Sequence, residues 1–185
     1  MKRYVILAGV NGAGKSTLFS LIPSIGEIEK INLDEVVRQI GDWKNTQDVI
    51  KAGKLVVSRI NRYFDNGISF SQETTLCGHS IFKNIKRAKG LGYRIEMYYV
   101  GLDSVDIAKQ RIKARVMRGG HGIPDEDVEK RYVESLRNLS IALHQCDIVT
   151  IYDNTEHFQR FAVYEQGELV RITERVPRWY QVLLK

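Results

Sequence analysis

Gly9-Val10-Asn11-Gly12-Ala13-Gly14-Lys15-Ser16-Thr17 fits the pattern G-x-x-x-x-G-K-[ST]. The run before it, Tyr4-Val5-Ile6-Leu7-Ala8, is apolar and partly β-branched, as a buried parallel strand requires. The run after it, Ser16 to Ile22, has helical character and stops at Pro23. Strand, glycine loop and helix are the context in which this pattern works as a phosphate-binding loop, or P-loop. The glycines let successive backbone N–H groups turn inward at a helix N-terminus that already favours anions. In that role the backbone of Asn11, Gly12, Ala13 and Gly14, with Lys15, Ser16 and Thr17, is expected to wrap the phosphates of ATP or GTP. Lys15 is placed at the β- and γ-phosphates and the Ser16 hydroxyl on Mg²⁺.

The rest of the chain fits one domain built around that loop. A length of 185 residues is enough for a self-sufficient core, and 43% hydrophobic with 27% charged residues is a globular composition. No apolar run reaches membrane-span length, and the short Tyr4–Ala8 run leads straight into the glycine loop, so a signal peptide is rejected and the cytoplasm is the expected location. Cys77 and Cys146 offer neither a disulfide framework nor metal spacing, and Cys146 is expected to be buried. The net charge of +6 suits a phosphate-rich substrate or nucleic acid. Its basic clusters, Lys83 to Lys89 and Arg111 to Arg118, fall on expected helices, where solvated faces are the plainer reading.

Read in order, the chain alternates. A second strand runs from Gly26 to Asn32 and ends at Asn32-Leu33-Asp34 before a short helix. A long amphipathic helix from about Thr46 to Asn66 carries Val49, Ile50, Val56, Val57, Ile60 and Phe64 at helical spacing. Ile68 to Glu73 alternates as a strand that exits through Glu73-Thr74-Thr75. A basic helix follows, then a strand over Tyr93–Val100 and a helix capped by Asp103 or Ser104. Arg118-Gly119-Gly120-His121-Gly122-Ile123-Pro124, set between two charged helices, reads as a lid spanning about 115–131. A fifth core strand, Ile148–Tyr152, exits through Asp153-Asn154. A β-hairpin over about 160–173 and a short apolar end with Pro177, Trp179, Leu183 and Leu184 close the chain. The expected fold is α/β, a three-layer P-loop NTPase of kinase type. It has a five-stranded, mostly parallel sheet, a helical lid and a C-terminal β-hairpin.

Ligands of open α/β sheets bind at the carboxyl ends of the strands. Lys15, Ser16, Asp34, Glu73, Asp153 and Asn154 are all expected there, beneath the lid arginines Arg115, Arg118 and Arg131. Such a set suits phosphoryl transfer: a carboxylate for the acceptor hydroxyl, arginines for the charge on the transferring group, and a lid that excludes water. Asp34 is the expected acceptor-side base, although a plain helix cap is its bland alternative. Glu73 suits either the Mg²⁺ shell or the acceptor, and His121 either a phosphate or a turn. A polynucleotide kinase, motivated by the charge, and a regulatory ATPase without an acceptor are the competing classes. No basic strand interleaved with aromatics supports the first of these.

The ordered set Gly9–Thr17, Asn32-Leu33-Asp34-Glu35, Glu73-Thr74-Thr75-Leu76, Arg115-Val116 through Pro124, Arg131-Tyr132 and Tyr152-Asp153-Asn154 resembles the zeta-toxin-like P-loop kinases. It is closest to their smaller bacterial subgroup. The resemblance implies ATP- and Mg²⁺-dependent phosphorylation of a small-molecule hydroxyl, which in the better-known zeta toxins belongs to UDP-N-acetylglucosamine. It also implies an antitoxin partner. It assigns Asp34 as base, Lys15 and Ser16 to phosphate and Mg²⁺, and the lid arginines to phosphate. Glu73, Thr74, Thr75 and His121 fall on the substrate side, and Arg115, Asp153 and Asn154 on the nucleotide side. The chain is shorter than the well-known zeta toxins, and no L-S-G-G-Q-like segment links it to ABC transporters.

Overall fold

The computed structural model describes residues 1–181; the expected apolar end at Leu183 and Leu184 lies outside them. In chain order the elements are β1 (Arg3–Ala8), α1 (Lys15–Leu21), α2 (Pro23–Gly26), β2 (Glu29–Ile31), α3 (Leu33–Ile40), α4 (Thr46–Asp65) and β3 (Phe70–Thr74). They continue with α5 (Ser80–Gly90), β4 (Arg94–Gly101), α6 (Val105–Met117), α7 (Asp125–Leu143), β5 (Ile148–Asp153), β6 (Gln159–Glu165), β7 (Glu168–Ile172) and α8 (Arg178–Gln181).

One sheet holds all the strands in the order β2-β3-β1-β4-β5-β6-β7. The first five are mutually parallel, whereas β6 runs antiparallel to β5 and β7 antiparallel to β6. The sheet therefore has seven strands, not five. The two strands beyond the expected five are those of the C-terminal hairpin, whose β6 pairs along β5, with Thr150 opposite Val163. The hairpin covers what would otherwise be an unpaired sheet edge, and it buries Phe161, Ala162 and Tyr164 in doing so.

Alternation along β1 divides the core into two layers. Tyr4, Ile6 and Ala8 point to one face, where they pack with residues of α4, α5 and α7 and with Trp179 and Tyr180. Val5 and Leu7 point to the other, beside Leu18, Ile25, Ala108 and Ile112 of α1, α2 and α6. Both faces of β1 are closed off from water, which explains its continuous apolar run. Cys146 is buried as expected. The stripe on α4 is narrower than its composition suggested. Ile60 and Phe64 are buried, but Ile50 and Val57 face solvent, because they sit one position off the line through 49, 52, 56, 60 and 63. Among the described residues no helix is long and apolar enough to cross a membrane.

Register places the strand ends side by side. Leu7 lies opposite Glu73 and Ala8 opposite Thr74, so β3 delivers Glu73 alongside the start of the glycine loop. Ile31 lies opposite Gln72, which puts Asn32 next to Glu73. On the other flank Gly101 of β4 lies opposite Asp153 of β5.

Candidate active site

The loop from Gly9 to Gly14 needs a backbone that most residues cannot adopt. Gly9 has φ +134°, and a Cβ there would lie 2.3 Å from the Val100 carbonyl oxygen. Gly14 has φ +100°, and a Cβ there would lie 2.6 Å from Asn154 Nδ2. That amide donates to the Ala13 carbonyl at 2.8 Å, so Asn154 braces the loop from the β5 side. Lys15, only 6% exposed, folds back and donates to the Val10 carbonyl at 3.0 Å. Burial pulls its pKa below the ordinary lysine value, while the negative charges of Glu73 and Asp34 pull it back up.

Glu73 is the hub of the carboxylate side. One of its oxygens lies 3.7 Å from Lys15 Nζ; the other accepts from Ser16 Oγ at 3.2 Å and from Asn32 Nδ2 at 2.7 Å. The same Asn32 caps α3, its Oδ1 accepting from the Asp34 backbone N–H at 2.8 Å. The cap is thus Asn32, not Asp34. Asp34 sits in the first turn of α3, half-buried, and among the described residues its carboxylate has no ion-pair or hydrogen-bond partner. It faces the same cavity as Lys15, Ser16, Thr17, Glu73, Thr74 and Thr75.

The lid lines that cavity, which measures about 1320 Å³. Arg115 donates through Nε and a terminal nitrogen to the His121 carbonyl at 3.0 and 2.7 Å, which pins the loop to α6. Arg131 of α7 reaches Asn11 Oδ1 at 3.2 Å and so joins the lid helix to the glycine loop. Arg118 lines the cavity but is exposed, and its Nε turns back to the Ala114 carbonyl at 3.1 Å. His121 stacks on Trp43 from the loop between α3 and α4, with ring centroids 4.0 Å apart. Burial lowers the His121 pKa, Asp34 opposes that shift, and Arg115 and Arg131 add to it.

Most of the expected residues converge, with two exceptions: Ala13, fully buried within the glycine loop, and Asp153. Asp153 is absent from the cavity wall; its Oδ1 accepts from Trp179 Nε1 at 2.9 Å and from Thr155 Oγ1 at 2.7 Å. Its strand-end position is as expected, but its carboxylate is taken up by the C-terminal helix rather than facing a nucleotide. Residues with no site role expected from sequence also line the cavity, among them Asn32, Trp43 and Arg111. Arg111 donates to the carbonyls of Asn154 at 2.7 Å and Thr155 at 3.2 Å. The signal for Asn32 was available, since an Asn ahead of a helical segment is a favoured cap.

The fold recurs in solved structures. The AvrRxo1-ORF1:-ORF2 complex with ATP matches with a TM-score of 0.70 and 13% identity, over 92% of this chain and 60% of that one. The PezAT chromosomal toxin–antitoxin system of Streptococcus pneumoniae matches with a TM-score of 0.59 and 20% identity, over 83% of this chain and 67% of that one. The chain thus spans about three fifths of the matched chain of the AvrRxo1-ORF1:-ORF2 complex. An uncharacterized protein of Haemophilus influenzae is 36% identical over 128 residues, which is 69% of this chain and 91% of that protein. The family model described as Zeta toxin matches residues 1–175 and leaves only the segment around Trp179 outside. With its glycine loop, its strand order and this match over nearly its whole length, the chain belongs to the zeta toxin family.

Proposed function

We propose that this protein transfers the γ-phosphoryl group of ATP to a hydroxyl of a small molecule, with Asp34 as the group that receives the acceptor's proton. The observation that carries the reading is the pairing of opposite chemistries across one cavity. A buried Lys15 sits on the glycine loop, and an unpaired carboxylate, Asp34, lies within its electrostatic reach at the start of α3. A motor or switch needs the lysine but has no use for a free carboxylate on the opposite side of the same cavity. A kinase needs both.

Each residue then has a task. The loop N–H groups and Lys15 hold the donor phosphates, and Arg115 and Arg131 position the lid and place positive charge beside the transferring group. Gly120, His121, Gly122 and Trp43 exclude water from the acceptor side. The donors for Mg²⁺ are Ser16 Oγ and Glu73, 3.2 Å apart; among the described residues no cluster of three or more metal-ligating side chains exists. That sparse oxygen set fits an ion that takes its other ligands from phosphate and water. Mg²⁺, when bound there, neutralises charge on the β- and γ-phosphates. The 3.2 Å contact between Ser16 Oγ and Glu73 supports a metal-side role for Glu73 over an acceptor-side one. The resemblance to zeta toxins supports a nucleotide sugar as the acceptor and an antitoxin as a protein partner; the PezAT toxin–antitoxin likeness is in keeping with the latter.

The test compares Lys15→Ala with Asp34→Ala. ATP binding by calorimetry and phosphoryl transfer to a bacterial metabolite extract are measured on each. Lys15→Ala is expected to lose both, and Asp34→Ala to lose transfer while keeping ATP affinity within about threefold. Full transfer by Asp34→Ala removes the base assignment.

A further inference from the structure

The C-terminal helix reaches the glycine loop through a short chain of hydrogen bonds. Trp179, 3% exposed, lies flat against Gly101 at the end of β4, where an added Cβ would fall 2.1 Å from the indole. Only glycine at 101 leaves room for the ring. From that seat the indole N–H donates to Asp153 Oδ1 at 2.9 Å, and the Trp179 backbone N–H donates to Asp103 Oδ1 at 3.3 Å. Asp153 also accepts from the Thr155 hydroxyl, whose oxygen accepts from the Asp103 backbone N–H at 3.0 Å. One indole therefore ties together both strand exits, 101–103 and 153–155.

The next residue along is Asn154. Its backbone N–H donates to the Gly101 carbonyl at 3.1 Å, its side chain donates to Ala13 in the glycine loop, and its carbonyl accepts from Arg111. Asn154 and Arg111 both line the cavity; Trp179 and Asp153 do not. A loop whose N–H groups must present themselves to phosphates gains affinity when it is held in place before the ligand arrives.

We propose that Trp179 is a positioning residue for the nucleotide site, acting through Asp153 and Asn154 on the main chain of the glycine loop. The inference rests on the reading of that loop as the ATP site. It gives a functional reason for the C-terminal segment, which otherwise only fills the core. It also explains why a carboxylate at the end of β5 faces away from the cavity.

The experiment is ATP binding by calorimetry on the full chain, with thermal melting recorded for each variant. Trp179→Phe keeps a ring over Gly101 and removes the N–H donor. Asp153→Ala breaks the same bond from the other side, and Asp153→Asn keeps an acceptor oxygen for the indole. Trp179→Phe and Asp153→Ala are each expected to raise the ATP dissociation constant roughly three- to tenfold, the range of one net hydrogen bond. Asp153→Asn is expected to restore the wild-type value. Adding Asn154→Ala to Trp179→Phe should weaken binding no further than Asn154→Ala alone, because the two act along one path. If Trp179→Phe folds poorly, the Asp153 pair decides the matter. Wild-type affinity in Asp153→Ala or Trp179→Phe overturns the inference, as does strict additivity with Asn154→Ala or an Asp153→Asn variant as weak as Asp153→Ala. Failure of the unaltered protein to bind ATP would instead refute the reading of the site.

Discussion

Trp43 and His121 stack face to face, with ring centroids 4.0 Å apart and planes 18° from parallel. One ring comes from the loop between α3 and α4, the other from the lid. Together with the Arg115 bonds to the His121 carbonyl, this contact holds the lid over the Asp34 side of the cavity. An aromatic pair of this kind contributes about 1 kcal/mol beyond simple burial. Trp43→Ala is therefore expected to speed amide hydrogen exchange across residues 119–122 by about three- to tenfold. Unchanged exchange there would mean that Arg115 alone secures the lid.

The same histidine gives a pH signature. Its folded-state pKa is lowered, chiefly by burial, with Arg115 and Arg131 adding to the shift and Asp34 opposing it. As pH falls, the unfolded chain takes up this proton first, near pH ~6.5. Stability must then decline as pH drops below that value, and the loss is complete once the pH lies under the folded-state pKa. His121→Phe keeps a ring against Trp43 and removes the titration. The melting temperature of the wild type should fall relative to His121→Phe as pH is lowered from neutral toward 5. Parallel curves for the two proteins would contradict this.

Asn32 serves two partners, the cap of α3 and the Glu73 carboxylate. Asn32→Ala removes both and is expected to cost about 2 kcal/mol in urea denaturation. Asn32→Asp keeps the cap but sets a second carboxylate beside Glu73, so its cost should grow as pH rises through the carboxylate range. A pH-independent cost for Asn32→Asp would show that the two side chains move apart.

Gly9→Ala meets main chain rather than a movable side chain, because its Cβ would press on the Val100 carbonyl. Strain at φ +134° adds to the clash. The variant is expected to lose about 3 kcal/mol or to fail to fold, and to lose ATP binding in any soluble fraction. Near-wild-type melting would mean that β1 and β4 can separate without cost.

The parts of this molecule that were legible in sequence are those fixed locally. The glycine loop and its flanking strand and helix depend on residues within one short stretch. Glu73 near the end of β3 and Asp34 just past β2 were placed by the order of elements, because parallel strands all deliver their exits to one edge. Less legible was anything set by a distant partner. The hairpin's strand pattern was plain, but nothing in residues 159–172 says that β6 will pair with β5. Trp43 lies between two helices, with no periodicity to place it, and its partner is in the lid. Asp153 was placed correctly along its strand, yet its side chain is claimed by Trp179, which no spacing rule connects to it.

The central claim is that the phosphoryl group goes to a small-molecule hydroxyl and not to water. The most direct measurement is mass spectrometry of a bacterial metabolite extract incubated with the protein, Mg²⁺ and ATP labelled with heavy oxygen in its γ-phosphoryl group. The account predicts a new organic phosphate ester that carries the label, formed by the wild type and absent with Asp34→Ala. Label found only in inorganic phosphate, with the protein folded and ATP bound, would contradict it.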